Sequence, residues 1–306
     1  MKTSSPIFGE DQINSIAKTI NRNVPDKYIP NVLRIPYKRW RAQKRIDQLD
    51  IIDSGYDDEY PYITLESGIT LYGFPSKPAH VSFYDQLRED QKENLIPEAY
   101  FTAEQVYLSF IRGHFDREVQ YTIQPGDTVV DIGPHHGYYA HQVAKRVGSD
   151  GRVIAIEAHP DNYDVLKQNI ITNNLSNVTT INKAVTDQTG SVEFYNRETD
   201  SGKHHTLVGE KFDQIGEYDV IEVVAEPLDD ILQSIDVDDV NFVSITVNLA
   251  EYEVLMGMRE TLADRTHVAC PLKADRNKIK SIFKEFDYAT TIRDDYYVSP
   301  IIYGWP

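Results

Sequence analysis

Apolar and polar positions change period several times along the chain, most clearly between Gly126 and Glu157, GDTVVDIGPHHGYYAHQVAKRVGSDGRVIAIE. Thr128 to Ile132 is a β-branched run of strand length, bounded by Pro125-Gly126 and Gly133, with Asp131 at its carboxyl end. From Tyr138 to Val147 the apolar residues Tyr139, Ala140, Val143, Ala144 and Val147 recur at three- and four-residue steps. That spacing predicts a helix with one apolar face, stopped by Gly148. Arg152 to Glu157 repeats the buried-strand pattern, so the unit reads as strand, glycine loop, helix, strand: a parallel crossover.

The pattern continues downstream. Helices are predicted over Asp161 to Ile171, from Pro227 to Leu232, over Ala250 to Leu262 and over Asp275 to Phe286. Strands are predicted over Val178 to Asn182, Gly190 to Tyr195, Tyr218 to Val224, Asn241 to Val247 and Thr266 to Leu272, with a tyrosine-rich antiparallel end from Tyr288 to Trp305. Asp200 to Thr206, which holds His204 and His205, reads as a polar loop whose histidines are either substrate contacts or simply exposed. Upstream, helical spacing occurs over Asp11 to Asn21, Tyr37 to Leu49 and Tyr100 to Phe115, and a hairpin over Tyr60 to Phe74 turns at Glu66-Ser67-Gly68. The expected class is α/β, a doubly wound Rossmann-like sheet (residues 100–306) after an accessory region of helices and a hairpin (residues 1–99).

Charge narrows the partners. The 306 residues hold 31 Lys and Arg against 48 Asp and Glu, a formal charge of −17. Such a surface repels phosphate backbones, so nucleic acid is not expected as a partner. The basic run Lys38-Arg-Trp-Arg41 with Lys44 and Arg45 reads as a solvated helix face. Cys270 is the single cysteine, which excludes an intrachain disulfide and a cysteine metal cluster, and no metal-ligand spacing is present. No run approaches ~18 apolar residues, and the N-terminal segment lacks a signal-peptide core, so a cytoplasmic location without a membrane span is the expectation.

The loop Asp131-Ile-Gly133-Pro-His-His-Gly137 has glycines four apart, whereas a dinucleotide fingerprint wants glycine at 133, 135 and 138. It suits a cofactor without phosphates. Glu157, ending the second strand, stands where a carboxylate accepts ribose hydroxyls, and the two acids together fit S-adenosylmethionine.

The stretch VVDIGPHHGYYAHQVAKRVGSDGRVIAIEAHPDNYDVLKQNIITNNLSNVTTINKAVTDQTGSVEFY is similar to the FkbM-like family of S-adenosylmethionine-dependent methyltransferases: a D-x-G-x-x-x-G-Y loop, an acid before P-x-N-Y, and A-V-x-D. The resemblance runs from about Tyr100 to near the C terminus and implies O-methylation of a sugar, glycan or other small acceptor. It implies cofactor contacts at Asp131, Gly133, Pro134, His135, Gly137, Tyr138, Tyr139, Glu157, Ala158, Ala184 and Val185. One of Tyr138 and Tyr139 is expected to offer its ring to the sulfonium.

The resemblance breaks after the fourth parallel strand. Where the family reads K-I-D-x-E-G-x-E, this chain reads Ser244-Ile-Thr246-Val-Asn248-Leu249-Ala-Glu251. A hydroxyl nucleophile must lose its proton, and neither Thr246 nor Asn248 accepts one at neutral pH. Glu251 remains as a candidate base, as do His135, His136, His204 and His205, with Glu251 and His136 placed first and Thr246 and Asn248 as hydrogen-bonding supports. Two other readings stay open: a methyltransferase relic used for binding or scaffolding, and a regulatory adenosyl site.

Overall fold

The computed structural model describes residues 40–57, 59–111, 117–199, 202–206, 219–293 and 300–306. The expected helix over Asp11 to Asn21 lies outside the described residues, as do residues 294–299 of the closing segment. The chain forms two compact units, one of residues 1–69 and 73–107 and the other of residues 70–72 and 108–306.

In the first unit, helix α1 covers residues 40–46. Strand β1 (Ile51–Asp57) pairs antiparallel with β2 (Tyr60–Leu65). The turn after β2 closes through Gly68 N donating to Leu65 O at 2.8 Å. Strand β1 is absent from the sequence pattern because its exposed and half-exposed positions do not alternate. Helices α2 (Pro78–Tyr84), α3 (Glu89–Lys92) and α4 (Tyr100–Val106) follow. Part of the basic helix face is neutralised inside this unit: Arg45 Nη1 meets Glu104 Oε1 at 2.7 Å.

The second unit opens with β3 (Thr70–Tyr72) and then builds the crossover where the pattern placed it: β4 (Thr128–Ile132), α5 (Tyr138–Val147), β5 (Arg152–Ile156) and α6 (Pro160–Thr172). There follow β6 (Val178–Ile181), β7 (Ala184–Val185), β8 (Gly190–Thr199), β9 (Gly202–Thr206), β10 (Asp219–Glu226) and α7 (Leu228–Ser234). The chain then forms β11 (Phe242–Ile245), α8 (Glu251–Met256), α9 (Arg259–Ala263), β12 (His267–Pro271), α10 (Arg276–Glu285), β13 (Ala289–Arg293) and β14 (Ile301–Trp305).

The main sheet has seven strands in the order β13-β14-β12-β11-β4-β5-β6. From β6 to β12 neighbours are parallel, and β14 and β13 add antiparallel. Its two faces explain the continuous apolar runs. Val129 and Val153 pack with Ala140, Val143 and Leu166 of α5 and α6, whereas Val130 and Ile154 pack with Ile231, Val254 and Ile279 of α7, α8 and α10. A strand covered on both sides needs apolar residues at odd and even positions, each full burial contributing about 1.5–3 kcal/mol.

Two expectations are corrected. Within the expected polar loop, Gly202–Thr206 is a strand paired antiparallel with β8, Tyr195 opposite Thr206, while residues 200 and 201 lie outside the described residues. Backbone pairing decides there, and a polar composition does not advertise it. The single helix expected over Ala250 to Leu262 is two, α8 and α9, broken at Gly257 and Met258. Asp229 of α7 accepts from Glu260 N at 2.8 Å and Thr261 N at 3.0 Å, giving the second helix an N-terminal cap from another element.

Candidate functional site

The loop leaving β4 takes positive φ at Gly133 (76°), His135 (57°) and Gly137 (78°). A Cβ at 133 would stand 3.0 Å from the carbonyl oxygen of Thr246, and one at 137 would stand 2.3 Å from Leu166 Cδ1. Both glycines are therefore required by backbone conformation and by space. Pro134 is buried, and its carbonyl accepts from Gly137 N at 3.0 Å, closing the loop on itself.

Glu157 holds the far side of this loop. Its Oε2 accepts from His135 N at 2.9 Å, and its Oε1 from His159 N at 3.0 Å and Asn162 Nδ2 at 3.4 Å. Burial pushes its pKa up to about 7, and the two backbone donors pull the other way.

Asp131 is fully buried at the end of β4. Its Oδ1 accepts from Arg117 Nη1 at 2.8 Å and Ser244 Oγ at 3.0 Å, while its Oδ2 has no partner among the described residues. Arg117 Nη1 also donates to Ser244 Oγ at 2.6 Å, and its guanidinium lies 4.1 Å from the Tyr139 ring centroid. The cation over Tyr139 is thus the protein's own. Burial raises the Asp131 pKa and Arg117 opposes the rise.

Tyr138 and His136 face inward. Tyr138 Oη donates to Tyr72 O at 2.8 Å, and its ring stands edge-on to that of His136. His136 is 1% exposed, and burial together with His135 lowers its pKa well below the ordinary value. That makes it a weak proton acceptor. Fully buried Asn169 of α6 ties the region together, donating to His136 O at 2.8 Å and to Tyr72 O at 3.1 Å while accepting from Tyr72 N at 2.7 Å.

The segment past β11 supplies the opposite wall. Thr246 Oγ1 donates to Gly133 O at 3.0 Å and Ile132 O at 3.2 Å, clasping the loop. Asn248 Oδ1 accepts from Lys273 Nζ at 2.7 Å. Glu251 is fully buried, and neither carboxylate oxygen has a hydrogen-bond partner among the described residues. Burial pushes its pKa up to about 7, opposed by nearby backbone amides, its own first, and by Lys273. Ala158 packs half-buried beside Ala184 in one hydrophobic cluster, and Val185 belongs to the main core, so the side chains of Ala184 and Val185 serve packing.

Sequence reasoning missed Arg117, Asn169 and Lys273. Of these only Lys273 left a signal, standing two residues beyond a strand that ends beside Asn241 to Val247.

Residues 131–287, half of the chain, match the methyltransferase FkbM domain. The chain belongs to this family. Family members use S-adenosylmethionine, and the donor set here fits it: a buried carboxylate with an unpartnered oxygen at Asp131, a second acid at Glu157, and between them a loop too tight for side chains at 133 and 137. Among solved structures, methyltransferase FkbM from Methylobacillus flagellatus KT is similar at 16% identity, covering 74% of this chain and 58% of that one, with a TM-score of 0.43. Aeropyrum pernix fibrillarin with natively bound S-adenosyl-L-methionine is similar at 11% identity over 84% of this chain and 100% of that one, TM-score 0.39. An S-adenosylmethionine-dependent O-methyltransferase from Thermotoga maritima is similar at 15% identity over 80% and 76%, TM-score 0.34. No curated protein matches the sequence. Within this FkbM-domain chain no described helix is long and apolar enough to cross a membrane. Among the described residues no group of three or more His, Cys, Asp or Glu is placed to hold a metal ion.

Proposed function

We propose that this FkbM-domain protein methylates a hydroxyl oxygen of a sugar, glycan or other small acceptor. When bound, S-adenosylmethionine supplies the methyl carbon, the carbon–sulfur electron pair staying with sulfur. Glu157 and the Gly133 to Gly137 loop bind and orient the adenosyl end, and Asp131 Oδ2 offers an acceptor to the amino acid end. Thr246 holds the loop and Glu251 takes the acceptor's proton.

The observation that carries this reading is Glu251: a fully buried carboxyl, without hydrogen-bond partners among the described residues, whose pKa of about 7 suits a general base at neutral pH. Thr246 and Asn248 act as supports, a reading supported by their bonds to Gly133 O and from Lys273.

Calorimetric titration of S-adenosylmethionine into the purified protein, with Glu157→Ala as control, is the test. Binding that the substitution removes supports the cofactor site and makes a mass-spectrometric screen of hydroxyl acceptors the next step. Folded native protein that does not bind would overturn the reading.

A further inference from the structure

A half-buried lysine between two strand ends needs a reason. Lys273 lies two residues past β12, which runs parallel to β11 with Val268 beside Val243 and Ala269 beside Ser244. The register brings the residue after one strand alongside those after the other. Its Nζ donates to Asn248 Oδ1 at 2.7 Å and lies 3.5 Å from Val247 O. Neither of those groups carries charge. The charged or titratable groups that act on Lys273 are Glu251 and Cys270, which favour its ammonium form, and Arg117, which opposes it, while burial works against the charge. Cys270 is fully buried with its thiol pKa well raised, chiefly by burial and then by Glu251, so it stays neutral. Arg117 is already committed to Asp131. Among the described residues Glu251, which opens α8 three residues after Asn248, is the anion left to balance the lysine.

We propose that Lys273 is a positioning residue for the proton-accepting carboxyl of Glu251, held by Asn248 so that its positive charge keeps that carboxyl ionised when the acceptor hydroxyl approaches. The proposal rests on the methyl-transfer reading. In the step it serves, the acceptor's O–H bond breaks with its electron pair left on oxygen, which forms the bond to the methyl carbon, and the proton forms a new O–H bond on Glu251. An amide at 248 matters because it orients the ammonium without cancelling its charge; a carboxylate there would compete with Glu251 for it.

The test reads the protonation of Glu251 and needs no acceptor. Protein labelled with carboxyl-¹³C glutamate is titrated by NMR, with Glu251→Gln identifying the resonance, in the native chain, Lys273→Met and Lys273→Arg. The Glu251 midpoint is expected to rise by about one pH unit or more in the methionine variant, a tenfold fall in the ratio of ionised to protonated carboxyl, and to stay near the native value with arginine. A purely structural lysine would leave the midpoint in place, and an unchanged midpoint in folded Lys273→Met overturns the proposal. Should that variant not fold, Lys273→Gln answers the same question with a neutral polar side chain: a rise in the Glu251 midpoint supports the coupling and no rise overturns it. Failure of the native protein to bind S-adenosylmethionine would sink the methyl-transfer reading separately, because the titration does not use the cofactor.

Discussion

Asn169 Nδ2 donates to the carbonyl of His136 at 2.8 Å, joining the last turn of α6 to the Gly133 to Gly137 loop. The same amide satisfies both backbone groups of Tyr72, so one buried side chain fixes a loop and the short strand β3 together. Asn169→Leu keeps the volume and removes every one of these bonds. Each buried polar group left unpaired costs about 1–3 kcal/mol. The variant is expected to melt several degrees lower and to bind S-adenosylmethionine more weakly, measured by thermal denaturation and calorimetry. Unchanged affinity in folded protein would show that the loop does not depend on this tie.

Gly137→Ala tests the tightness of the same loop from the other side. Left-handed backbone with a side chain costs about 1–2 kcal/mol and overpacking about 1–3 kcal/mol. The new methyl would stand 2.3 Å from Leu166 Cδ1, so adding Leu166→Ala is expected to relieve the steric share and leave the conformational one. Denaturant unfolding of the single and double variants separates them.

Arg117 and Asp131 form a buried pair, and removing one partner strands the other. Arg117→Met is expected to cost about 3–5 kcal/mol near neutral pH, and Arg117→Met with Asp131→Asn appreciably less, because no uncompensated charge then remains. Urea melts of the two variants and of Asp131→Asn alone give the coupling. Equal losses with and without the second substitution would rule out charge as the cause.

The pKa of about 7 at Glu157 sets a pH dependence of stability. Between the unfolded carboxyl's ordinary value and about 7, the folded chain keeps a proton that the unfolded chain releases. Glu157 therefore favours folding fully in acid, and that contribution is lost as pH rises through about 7, a change of about 3 kcal/mol at 1.36 kcal/mol per unit. Glu251 acts with the same sign. If Glu157 accepts the ribose hydroxyls as proposed, cofactor affinity should run the opposite way, weakening below about pH 7 as the carboxylate takes up a proton and loses its charge and part of its acceptor capacity. Unfolding and calorimetric titrations across this window check both slopes, and Glu157→Gln should flatten its share of the stability slope.

The crossover from Thr128 to Ile156 was legible because both ends of each element carry their own signals: β-branched runs, helical spacing, and the glycines that stop them. The β9 strand was not, since a ladder made by backbone pairing leaves little trace in a polar sequence. In the site, Asp131, Gly133, Gly137 and Glu157 stand out because strand ends and turns constrain residue type. Arg117 lies 14 residues before its partner Asp131, and Asn169 lies 97 residues from Tyr72. Only the folded chain brings such residues together. The departure at Ser244 and Asn248 also changes its meaning in three dimensions, because each neutral side chain meets a cation from elsewhere, Arg117 and Lys273.

Cys270 lies fully buried in β12, its thiol held in the unreactive protonated form by burial first and then by Glu251, with Lys273 opposing. Reagents that modify thiolates will find no target while the sheet is closed. Because the chain has one cysteine, its rate of modification by such a reagent is a clock for the opening of the main sheet, readable without engineering the protein. A cysteine introduced on the surface would in turn carry a single label into an otherwise silent molecule.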